Sequence, residues 1–367
     1  MDSSLEIDVS AATNPVSPER LTQILASPGF GTHFTDHMFV AEWTPERGWH
    51  DARVQPYAPL TLDPATAVLH YAQEIFEGLK AYRHDDGSVW TFRPEENAAR
   101  MVRSSRRLAL PELPVADFVA SVDALVTADQ RWVPDPAGEK SLYLRPFMFA
   151  SEKFLGVRPA KHVTYIVIAS PAGAYFPRGV KPVSIWLSEE YSRAGVGGTG
   201  AAKTGGNYAS SLLAQREAMD NGCDQVAFLD TVDRRWVEEL GGMNLYFVHE
   251  DGTVVTPALS GTILEGITRS SIIELCGKLG HKVEERRFSI DEWRDGVRSG
   301  SLTEVFACGT AAVVTPVGRL KWRDGEVDST AATGGDAGPV TLKVRQALVD
   351  IQYGRAEDTF GWMHRVV

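Results

Sequence analysis

The chain has 367 residues, 43% of them hydrophobic and 23% charged, which is typical of a globular protein of about two domains. It carries 48 acidic and 37 basic residues, a net charge of −11, and no basic stripe, so nucleic acid is not expected as a partner. No apolar run approaches the roughly 18 residues of a membrane span, so no such span is expected.

The start of the chain and its cysteines predict a cytoplasmic protein. Residues 1–8 are acidic and polar, without the apolar segment of a signal peptide. Cys223, Cys276 and Cys308 lie far apart in the sequence, with neither the spacing of a metal site nor an evident disulfide framework. We therefore expect a reducing compartment and no metal site.

The first half of the chain mixes strand and helix patterns after a polar arm. The arm, residues 1–20, is predicted to be loosely held. A proline in the first turn supports a helix over 94–108, and apolar residues between 118 and 126 recur at helical spacing. Strands are predicted at 34–43, 141–149 and 163–169, the last from a run of β-branched residues.

Residues 171–179 contain two prolines and two glycines, which break regular structure and indicate a domain boundary. The prediction is a small N-terminal domain over 1–174, a linker over 175–184 and a large C-terminal domain over 185–367. In the second half we expect strands at 183–187, 225–229, 244–248 and 304–314, helices at 208–219 and 272–279, and a mobile loop at 324–339. Because strands and helices interleave without regular βαβ spacing, the pattern favours an α+β fold.

Residues 197–208 are rich in glycine and contain Lys203, with Tyr208 five positions later. Glycines let other groups approach a lone cation closely, since they have no side chain and tolerate positive φ. The lysine can be explained in three ways: as part of a phosphate cradle, as a Schiff-base lysine acting on an aldehyde, or as an exposed lysine on a flexible loop.

The phosphate cradle of a nucleotide hydrolase nearly matches the string. Gly197 and Lys203 have P-loop spacing, but Ala202 stands where the second glycine belongs. A P-loop lysine opens a helix, whereas Gly205 and Gly206 follow here, and glycine costs about 1 kcal/mol per helical position. These departures disfavour the nucleotide interpretation.

A Schiff-base enzyme that uses pyridoxal phosphate also needs an acid at the pyridine nitrogen and an anion site. Glu239 precedes a glycine turn and could be that acid, although glutamates before turns are usually solvated. Thr268 lies where a predicted helix begins, and free backbone N–H groups at such an end bind phosphate. Arg93 and Thr310 could add donors, although Arg93 could equally be an ordinary surface arginine.

In order along the chain, these pieces resemble the class IV pyridoxal-phosphate aminotransferases, and among them the branched-chain amino acid aminotransferases. The resemblance covers residues 30 to 354. The strings that carry it are FGTHFTDHM at 30–38, HYAQEIFEG at 70–78, SLYLRP at 141–146, GAYFP at 173–177, KTGGNY at 203–208, ELGGMN at 239–244, GIT at 266–268, CGTA at 308–311 and IQYG at 351–354.

The resemblance implies a two-domain fold type IV enzyme, with a smaller sandwich-like N-terminal domain and a larger C-terminal pseudo-barrel. It also implies roles for the residues that bind pyridoxal 5'-phosphate. Lys203 would bind the cofactor covalently and move the Cα proton, Tyr208 would donate to its phenolic oxygen, and Glu239 would face its pyridine nitrogen. The phosphate would be held by Arg93, Ile267, Thr268 and Thr310.

The implied reaction moves the amino group between L-leucine, L-isoleucine or L-valine and 2-oxoglutarate. The implied substrate-binding residues are Phe30, Tyr71, Phe76, Tyr143, Arg145, Tyr175, Gly242, Thr310 and Ala311. Tyr71 would reach in from a second subunit, which makes the protein a homodimer with shared active sites, and Arg145 would lie near the glutamate carboxylate. From the residues alone, the aromatic side chains could equally pack in a core.

Two positions depart from the residues that some relatives carry. Ala312 and Thr315 stand where some relatives carry a Cys-x-x-Cys pair, so no thiol switch is expected there. Gly242 stands where some relatives have a threonine near the substrate carboxylate.

Several alternative functions remain open. Within the class, the chain could be a D-amino acid aminotransferase or an aminodeoxychorismate lyase. Outside it, the P-loop-like nucleotide hydrolase and a non-catalytic binding module remain.

Overall fold

The computed structural model describes residue 3 and residues 5–173 and 180–367. Its helices are α1 (Pro18–Ala26), α2 (Val68–Tyr71), α3 (Pro94–Leu108), α4 (Val115–Ala128), α5 (Gly205–Ala209), α6 (Leu212–Asp220), α7 (Ile267–Lys278), α8 (Ile290–Ser299) and α9 (Pro339–Gln352). Short 3-10 turns cover Gln130–Trp132, Ala137–Glu139 and Ala331–Thr333.

The strands fall into two groups along the chain. The first group is β1 (Asp8–Val9), β2 (His37–Thr44), β3 (Gly48–Pro56), β4 (Glu74–Phe76), β5 (Leu79–Arg83), β6 (Val89–Phe92), β7 (Ser141–Ala150) and β8 (Val163–Ala172). The second is β9 (Val183–Ser188), β10 (Gln225–Leu229), β11 (Val237–Leu240), β12 (Asn244–His249), β13 (Val254–Pro257), β14 (Val283–Arg286), β15 (Leu302–Gly309), β16 (Val313–Trp322) and β17 (Gly325–Asp328), after which β18 (Met363–Arg365) returns to the first sheet.

The described residues form two compact units. The first unit contains the residues up to 173, the tetrapeptide Ala202–Gly205 and the C-terminal segment Ile351–Val367. The second unit contains the residues from 180 to 201 and Gly206–Asp350. The tetrapeptide with Lys203 therefore belongs to the first unit, although its chain neighbours belong to the second. The domain boundaries given by the sequence stay a prediction.

The sheet of the first unit has the strand order β1-β3-β2-β8-β7-β5-β6-β18, with β4 paired to β7. Its pairs are antiparallel except for β1 with β3. Apolar side chains of the sheet and of α4 form one core, which includes Phe39, Phe118, Trp132 and Tyr165. Strand β4 packs against α3, the helix whose Ser104 contacts the backbone of Lys203.

Helix α3 has the predicted bounds because local signals agree at both ends. Pro94 occupies the first turn, where its missing N–H costs nothing, and Arg93 precedes it in a left-handed conformation with φ of 48°. Glu95 and Glu96 in the first turn, and basic residues in the last, complement the helix dipole. The helix buries Met101 together with the polar side chains of Asn97, Arg100 and Ser104.

The second unit contains a mixed sheet in the order β11-β10-β9-β16-β15-β12-β13-β14, with β17 paired to β16. Strand β9 pairs in parallel with both of its neighbours, while β15 pairs antiparallel with both β12 and β16. Phe247 and Phe288 stack at 3.8 Å in its core against Trp293. Helices packed with one mostly antiparallel and one mixed sheet confirm the predicted α+β class.

Three sequence predictions of local structure are wrong. The described part of the arm predicted over 1–20 is not loose, because β1 pairs with β3 and the backbone N–H of residues 12 and 16 donates to His37 and Asp36. The helix over 208–219 is interrupted at Ser210 and Ser211, where α5 ends and α6 begins. The predicted mobile loop at 324–339 contains β17 and a 3-10 turn.

Among the described residues, none of the helices combines the length and the apolar character that a membrane span requires. In the same part of the chain, no cluster of histidine, cysteine and acidic residues could hold a metal ion. The three cysteines are free and buried.

Candidate functional site

The backbone of Lys203 is fixed by hydrogen bonds within the first unit. Its N–H donates to the Ser104 hydroxyl at 3.0 Å, and its carbonyl accepts from the Phe76 N–H at 3.0 Å. Two residues later, the Gly205 N–H donates to the Glu74 carboxylate, which also accepts from the Thr204 hydroxyl at 3.5 Å. Lys203 is therefore held between α3 and β4 and is not part of a free loop.

The amine of Lys203 lies 4.7 Å from the centre of the Phe76 ring. The side chain keeps partial solvent exposure, yet enough protein atoms surround the amine to desolvate it. Desolvation, followed by the positive charge of Arg100, lowers the pKa of Lys203 to about 8. A larger share of this amine is therefore uncharged near neutral pH than in an ordinary lysine.

A buried ion pair lies in the same part of the first unit. Arg100 on α3 donates through Nε and Nη2 to the two carboxylate oxygens of Glu77, at 2.8 and 2.7 Å. The Asn97 amide donates to the same carboxylate at 2.7 Å. Glu77 is fully buried and Arg100 is 4% exposed, so neither charge is solvated by bulk water.

Four of the predicted pocket residues, Arg145 among them, form one cluster. The Arg145 guanidinium lies 4.8 Å from the Phe76 ring centre and 5.3 Å from that of Tyr143, and it donates to the Tyr143 hydroxyl at 3.0 Å. Phe30 packs edge-on against Tyr143 at 5.1 Å. Gly78 permits this arrangement, because a Cβ there would strike the Tyr143 hydroxyl. The cluster combines apolar rings with a cation and phenol, as a site for both apolar and carboxylate side chains requires.

The other predicted residues of the first unit lie in different surroundings. Arg93 stacks over Trp362 at 5.3 Å and pairs with Glu96 at 3.7 Å, so it is only partly exposed at the start of α3. Tyr71 is 39% exposed, and its hydroxyl donates to the carbonyl of Leu155. Tyr175 lies outside the described residues.

In the second unit, Glu239 is a buried carboxylate and is not solvated. The side chain is 3% exposed and pairs with Arg193 at 2.6 Å. It also accepts from the Leu264 N–H at 2.8 Å and from the Asn244 amide at 3.4 Å. Adjacent residues of a strand point to opposite faces, and Glu238 accordingly accepts from the Thr262 hydroxyl instead.

The predicted substrate-carboxylate turn lies beside the glycine turn of Gly242. Strand β12 pairs with β15 so that Asn244 is opposite Cys308, which aligns the ends of the two strands. A Cβ on Gly309 would lie 3.5 Å from the Gly242 carbonyl, and one on Gly242 would lie 3.8 Å from the Tyr208 ring. Thr310 and Ala311 continue this turn between β15 and β16 and are half-buried.

Helix α7 begins at Ile267 and Thr268, as the anion-site prediction requires. Gly266 is its N-cap, and no side chain caps the helix. The N–H groups of the first turn therefore have no partners within the helix, and the helix dipole favours an anion there. A Cβ on Gly266 would strike the side-chain oxygen of Asn244, so only glycine fits at this position.

The prediction that Gly205 and Gly206 prevent a helix after Lys203 is wrong, but a phosphate cradle is still disfavoured for a different reason. Gly205 and Gly206 do form a helix, the five-residue α5. However, the Gly205 N–H donates to Glu74, so a carboxylate of the protein occupies the place where a nucleotide phosphate would bind. A Cβ on Gly205 would strike this carboxylate, which explains the glycine.

The sequence patterns do not predict the residues that hydrogen-bond to the candidate residues and hold them in place. Arg193, Ser104 and Glu74 were not singled out, because no spacing links them to Glu239 or Lys203 before the chain folds. The pair of Arg100 and Glu77 could have been found, since Arg100 lies on the buried face of α3. A charged residue on an apolar helix face indicates a buried partner.

Comparison with known proteins identifies the family. The model of the family described as amino-transferase class IV matches residues 74–320. A probable branched-chain-amino-acid aminotransferase from Streptomyces coelicolor is 60% identical over 358 residues, covering 98% of each chain. A branched-chain-amino-acid aminotransferase from Mycobacterium tuberculosis is 55% identical over 366 residues, covering 99% of each chain.

Solved structures give the same result at lower identity. The Escherichia coli branched-chain amino acid aminotransferase is 28% identical, with a TM-score of 0.75 over 90% of this chain and 99% of that one. The T.th. branched-chain amino acid aminotransferase, solved with pyridoxamine 5'-phosphate, is 29% identical, with a TM-score of 0.73 over 89% of this chain and 98% of that one. From these matches, the chain belongs to the class IV aminotransferases and, within them, to the branched-chain amino acid aminotransferases.

Proposed function

We propose that this transferase moves the amino group between L-leucine, L-isoleucine or L-valine and 2-oxoglutarate, giving glutamate and a branched 2-oxo acid. The observation that carries the proposal is the desolvated amine of Lys203 beside a cluster of aromatic rings. The backbone of this lysine is fixed by hydrogen bonds with Ser104 and Phe76. Relatives named branched-chain aminotransferases at 45–60% identity support the choice of substrate class.

The described residues fit pyridoxal 5'-phosphate, the cofactor of this class. The Lys203 amine has a lowered pKa, as attack on an aldehyde requires. Glu239 is a buried carboxylate that can face a protonated ring nitrogen. The uncapped start of α7, with the N–H groups of Ile267 and Thr268, suits a phosphate. Arg93 and Thr310 would add donors to that phosphate, and Tyr208 would donate to the phenolic oxygen.

When bound, the cofactor supplies an aldehyde for amines and a ring that takes up the electron pair left when the substrate Cα loses its proton. The chain supplies the proton transfers and the orientation. In its uncharged form the Lys203 amine would accept the substrate Cα proton at Nζ, and the resulting ammonium would donate that proton to the cofactor carbon that carries the transferred nitrogen. Arg193 pairs with Glu239 at 2.6 Å and so places a positive partner beside the carboxylate that would face a cationic ring nitrogen.

The aromatic residues would select the side chain of the substrate. Phe30, Phe76 and Tyr143 offer apolar surface to a branched side chain, at about 25 cal/mol for each Å2 removed from water. The same cluster must accept the carboxylate of glutamate, for which Arg145 offers a charge and a buried Nε that has no hydrogen-bond partner in the described part of the chain. Ala311, with Thr310 and Gly242, would take the α-carboxylate.

The assembly, the domain limits and the compartment are also part of the proposal. We propose a homodimer with shared active sites, in which Tyr71 of one subunit contributes to the site of the other. Its partly exposed ring, the exposed Leu69 two residues before it and the exposed Leu155, whose carbonyl it contacts, support a contact surface there. The domain limits of 1–174, 175–184 and 185–367 and a cytoplasmic location are proposed with it.

The test of the function is amino transfer with defined donors. Purified protein loaded with pyridoxal phosphate is mixed with L-leucine, and the visible absorption of the cofactor is followed before and after 2-oxoglutarate is added. We expect a spectral change with L-leucine that 2-oxoglutarate reverses, with glutamate as product. A response to D-leucine but not to L-leucine would contradict the proposal and favour the D-amino acid aminotransferase.

Replacing Gly266 with alanine should weaken cofactor binding, because the new Cβ strikes the Asn244 side chain at the start of α7. Overpacking of this kind costs about 1–3 kcal/mol and would displace the N–H groups of the first turn. Gly277→Ala is the matched control, since it lies in the same helix with open space around it and should stabilise the protein by up to about 1 kcal/mol. Equilibrium dialysis with pyridoxal phosphate and thermal unfolding measure both effects; equal cofactor affinity in the two variants would contradict the anion-site assignment.

Covalent loading with pyridoxal phosphate should accelerate with pH up to about 8 and then level off. The reason is that the uncharged Lys203 amine is the attacking form, and its pKa is lowered to about 8 from the 10.5 of an ordinary lysine. Stopped-flow absorbance of cofactor-free protein across pH 6–10 measures the rate. A rate that keeps rising tenfold per pH unit beyond pH 9 would show that the amine is not desolvated.

A further inference from the structure

The pair of Glu77 and Arg100 has no part in the function proposed so far. Burying two opposite charges costs desolvation that their attraction only roughly offsets, so such a pair by itself contributes little net stability. Both side chains are held in one arrangement, because the guanidinium contacts the carboxylate through two parallel hydrogen bonds and Asn97 adds a third. The pair is therefore a fixed set of charges within the first unit.

Both members of the pair are connected to groups that contact Lys203. Arg100 and Ser104 are four residues apart on α3 and face the same side, and Ser104 accepts the hydrogen bond from the Lys203 N–H. Glu77 follows Phe76, whose ring lies under the Lys203 amine and whose N–H donates to the Lys203 carbonyl. Each charge therefore lies on the same chain segment as a residue that contacts the lysine.

The charges around the amine act in opposite directions. After desolvation, the largest effect on the pKa of Lys203 is the lowering by Arg100, and the raising by Glu77 is smaller. Strand β7 contributes Tyr143, which raises the pKa, and Arg145, which lowers it less than Arg100 does. Glu74 on β4 is a further acidic group of this unit, and it contacts the lysine segment through Gly205.

We propose that Arg100 is a positioning residue for amino transfer: fixed by Glu77, it keeps a permanent positive charge near the Lys203 amine and thereby favours the uncharged amine. The uncharged amine is the form that attacks an aldehyde and accepts a proton. Glu77 has two functions, to hold the guanidinium in place and to limit its effect. The part of this proposal that concerns amino transfer rests on the proposed function. The effect of Arg100 on the protonation of the amine does not depend on that function.

Competitive labelling tests the proposal on the cofactor-free full-length chain. Trace acetic anhydride labels each uncharged amine, and mass spectrometry gives the labelling of Lys203 relative to the exposed Lys343 as a function of pH. The wild-type midpoint should lie near 8. The midpoint should fall by roughly half to one pH unit in Glu77→Gln and stay near wild type in Arg100→Lys, which keeps the charge. In Glu77→Gln/Arg100→Met it should rise by a smaller amount, because the lost effects of the two charges partly cancel and that of Arg100 is the larger.

Shifts of the labelling midpoint in opposite directions in the single and double Glu77 variants would support the proposal. A purely structural role predicts lower thermal stability in both variants but no reversal in the direction of the midpoint shift. An unchanged midpoint in a folded double variant would overturn it. If circular dichroism shows that the double variant is unfolded, Glu77→Gln decides, and an unchanged or raised midpoint there overturns the proposal. Amino transfer is measured separately: its absence alongside opposite shifts would count against the proposed function alone.

Discussion

Replacing Lys203 with alanine should abolish amino transfer and the visible absorption of the bound cofactor while leaving the fold intact. The general-base step alone is worth about 10²–10⁴-fold in rate, and the loss of the covalent attachment adds to this. The fold should survive because desolvation, which lowers the pKa of the amine to about 8, makes its charged form costly, and alanine removes that cation. Steady-state turnover with L-leucine and 2-oxoglutarate measures the effect.

Two matched variants make this result specific. Lys343→Ala removes an exposed lysine on α9 and should leave both turnover and absorption unchanged. Lys203→Arg keeps a positive charge but has no amine that can react with an aldehyde, so it should be as inactive as the alanine variant. Full activity in Lys203→Arg would show that the position requires a charge and not an amine, and the catalytic assignment would fail.

Local structure was predictable where the signals are local. Helix α3 has its predicted bounds because Pro94, the first-turn glutamates and the last-turn arginines all act within a few residues. The predicted helix over 208–219 failed because Ser211 bonds back to the carbonyl of Tyr208 through both its N–H and its hydroxyl, which ends α5 early. Strand β17 was missed because its pairing with β16 stabilises a segment of low strand propensity.

The residues proposed to react could be named from the sequence, whereas the residues that contact them in the fold could not. Lys203 and Glu239 stand in strings whose glycines indicate close approach, and the resemblance then suggests their roles. Arg193 reaches Glu239 across 46 positions of sequence, and Ser104 reaches Lys203 across 99. Such contacts depend on strand order and helix packing, and no periodicity within one segment encodes them.

Glu239→Gln should slow proton removal from the substrate by about 10²–10³-fold, the effect of removing one preorganised electrostatic group from an active site. The amide is uncharged and cannot keep a proton on the ring nitrogen of the cofactor. The phosphate contacts proposed at α7 remain, so cofactor affinity should change much less. Single-turnover absorbance with L-leucine measures the rate, and dialysis against pyridoxal phosphate measures the affinity.

The same substitution should lower the free energy of unfolding, because Arg193 then keeps a buried charge without its partner. Breaking a buried ion pair by removing one member costs about 3–5 kcal/mol. Glu239→Asp serves as the second variant, since it retains the charge on a shorter side chain and should recover part of both the rate and the stability. Urea unfolding of the loaded and cofactor-free proteins separates the stability effect from the catalytic one.

The neighbouring residue gives the control within the same strand. Glu238 is also buried, but it points to the opposite face and its pKa is raised by desolvation, toward the neutral form that glutamine imitates. Glu238→Gln should therefore leave the single-turnover rate near wild type and cost little stability. Equal slowing in the two variants would mean that any lost carboxylate in β11 impairs the reaction, and the assignment of Glu239 to the ring nitrogen would then be wrong.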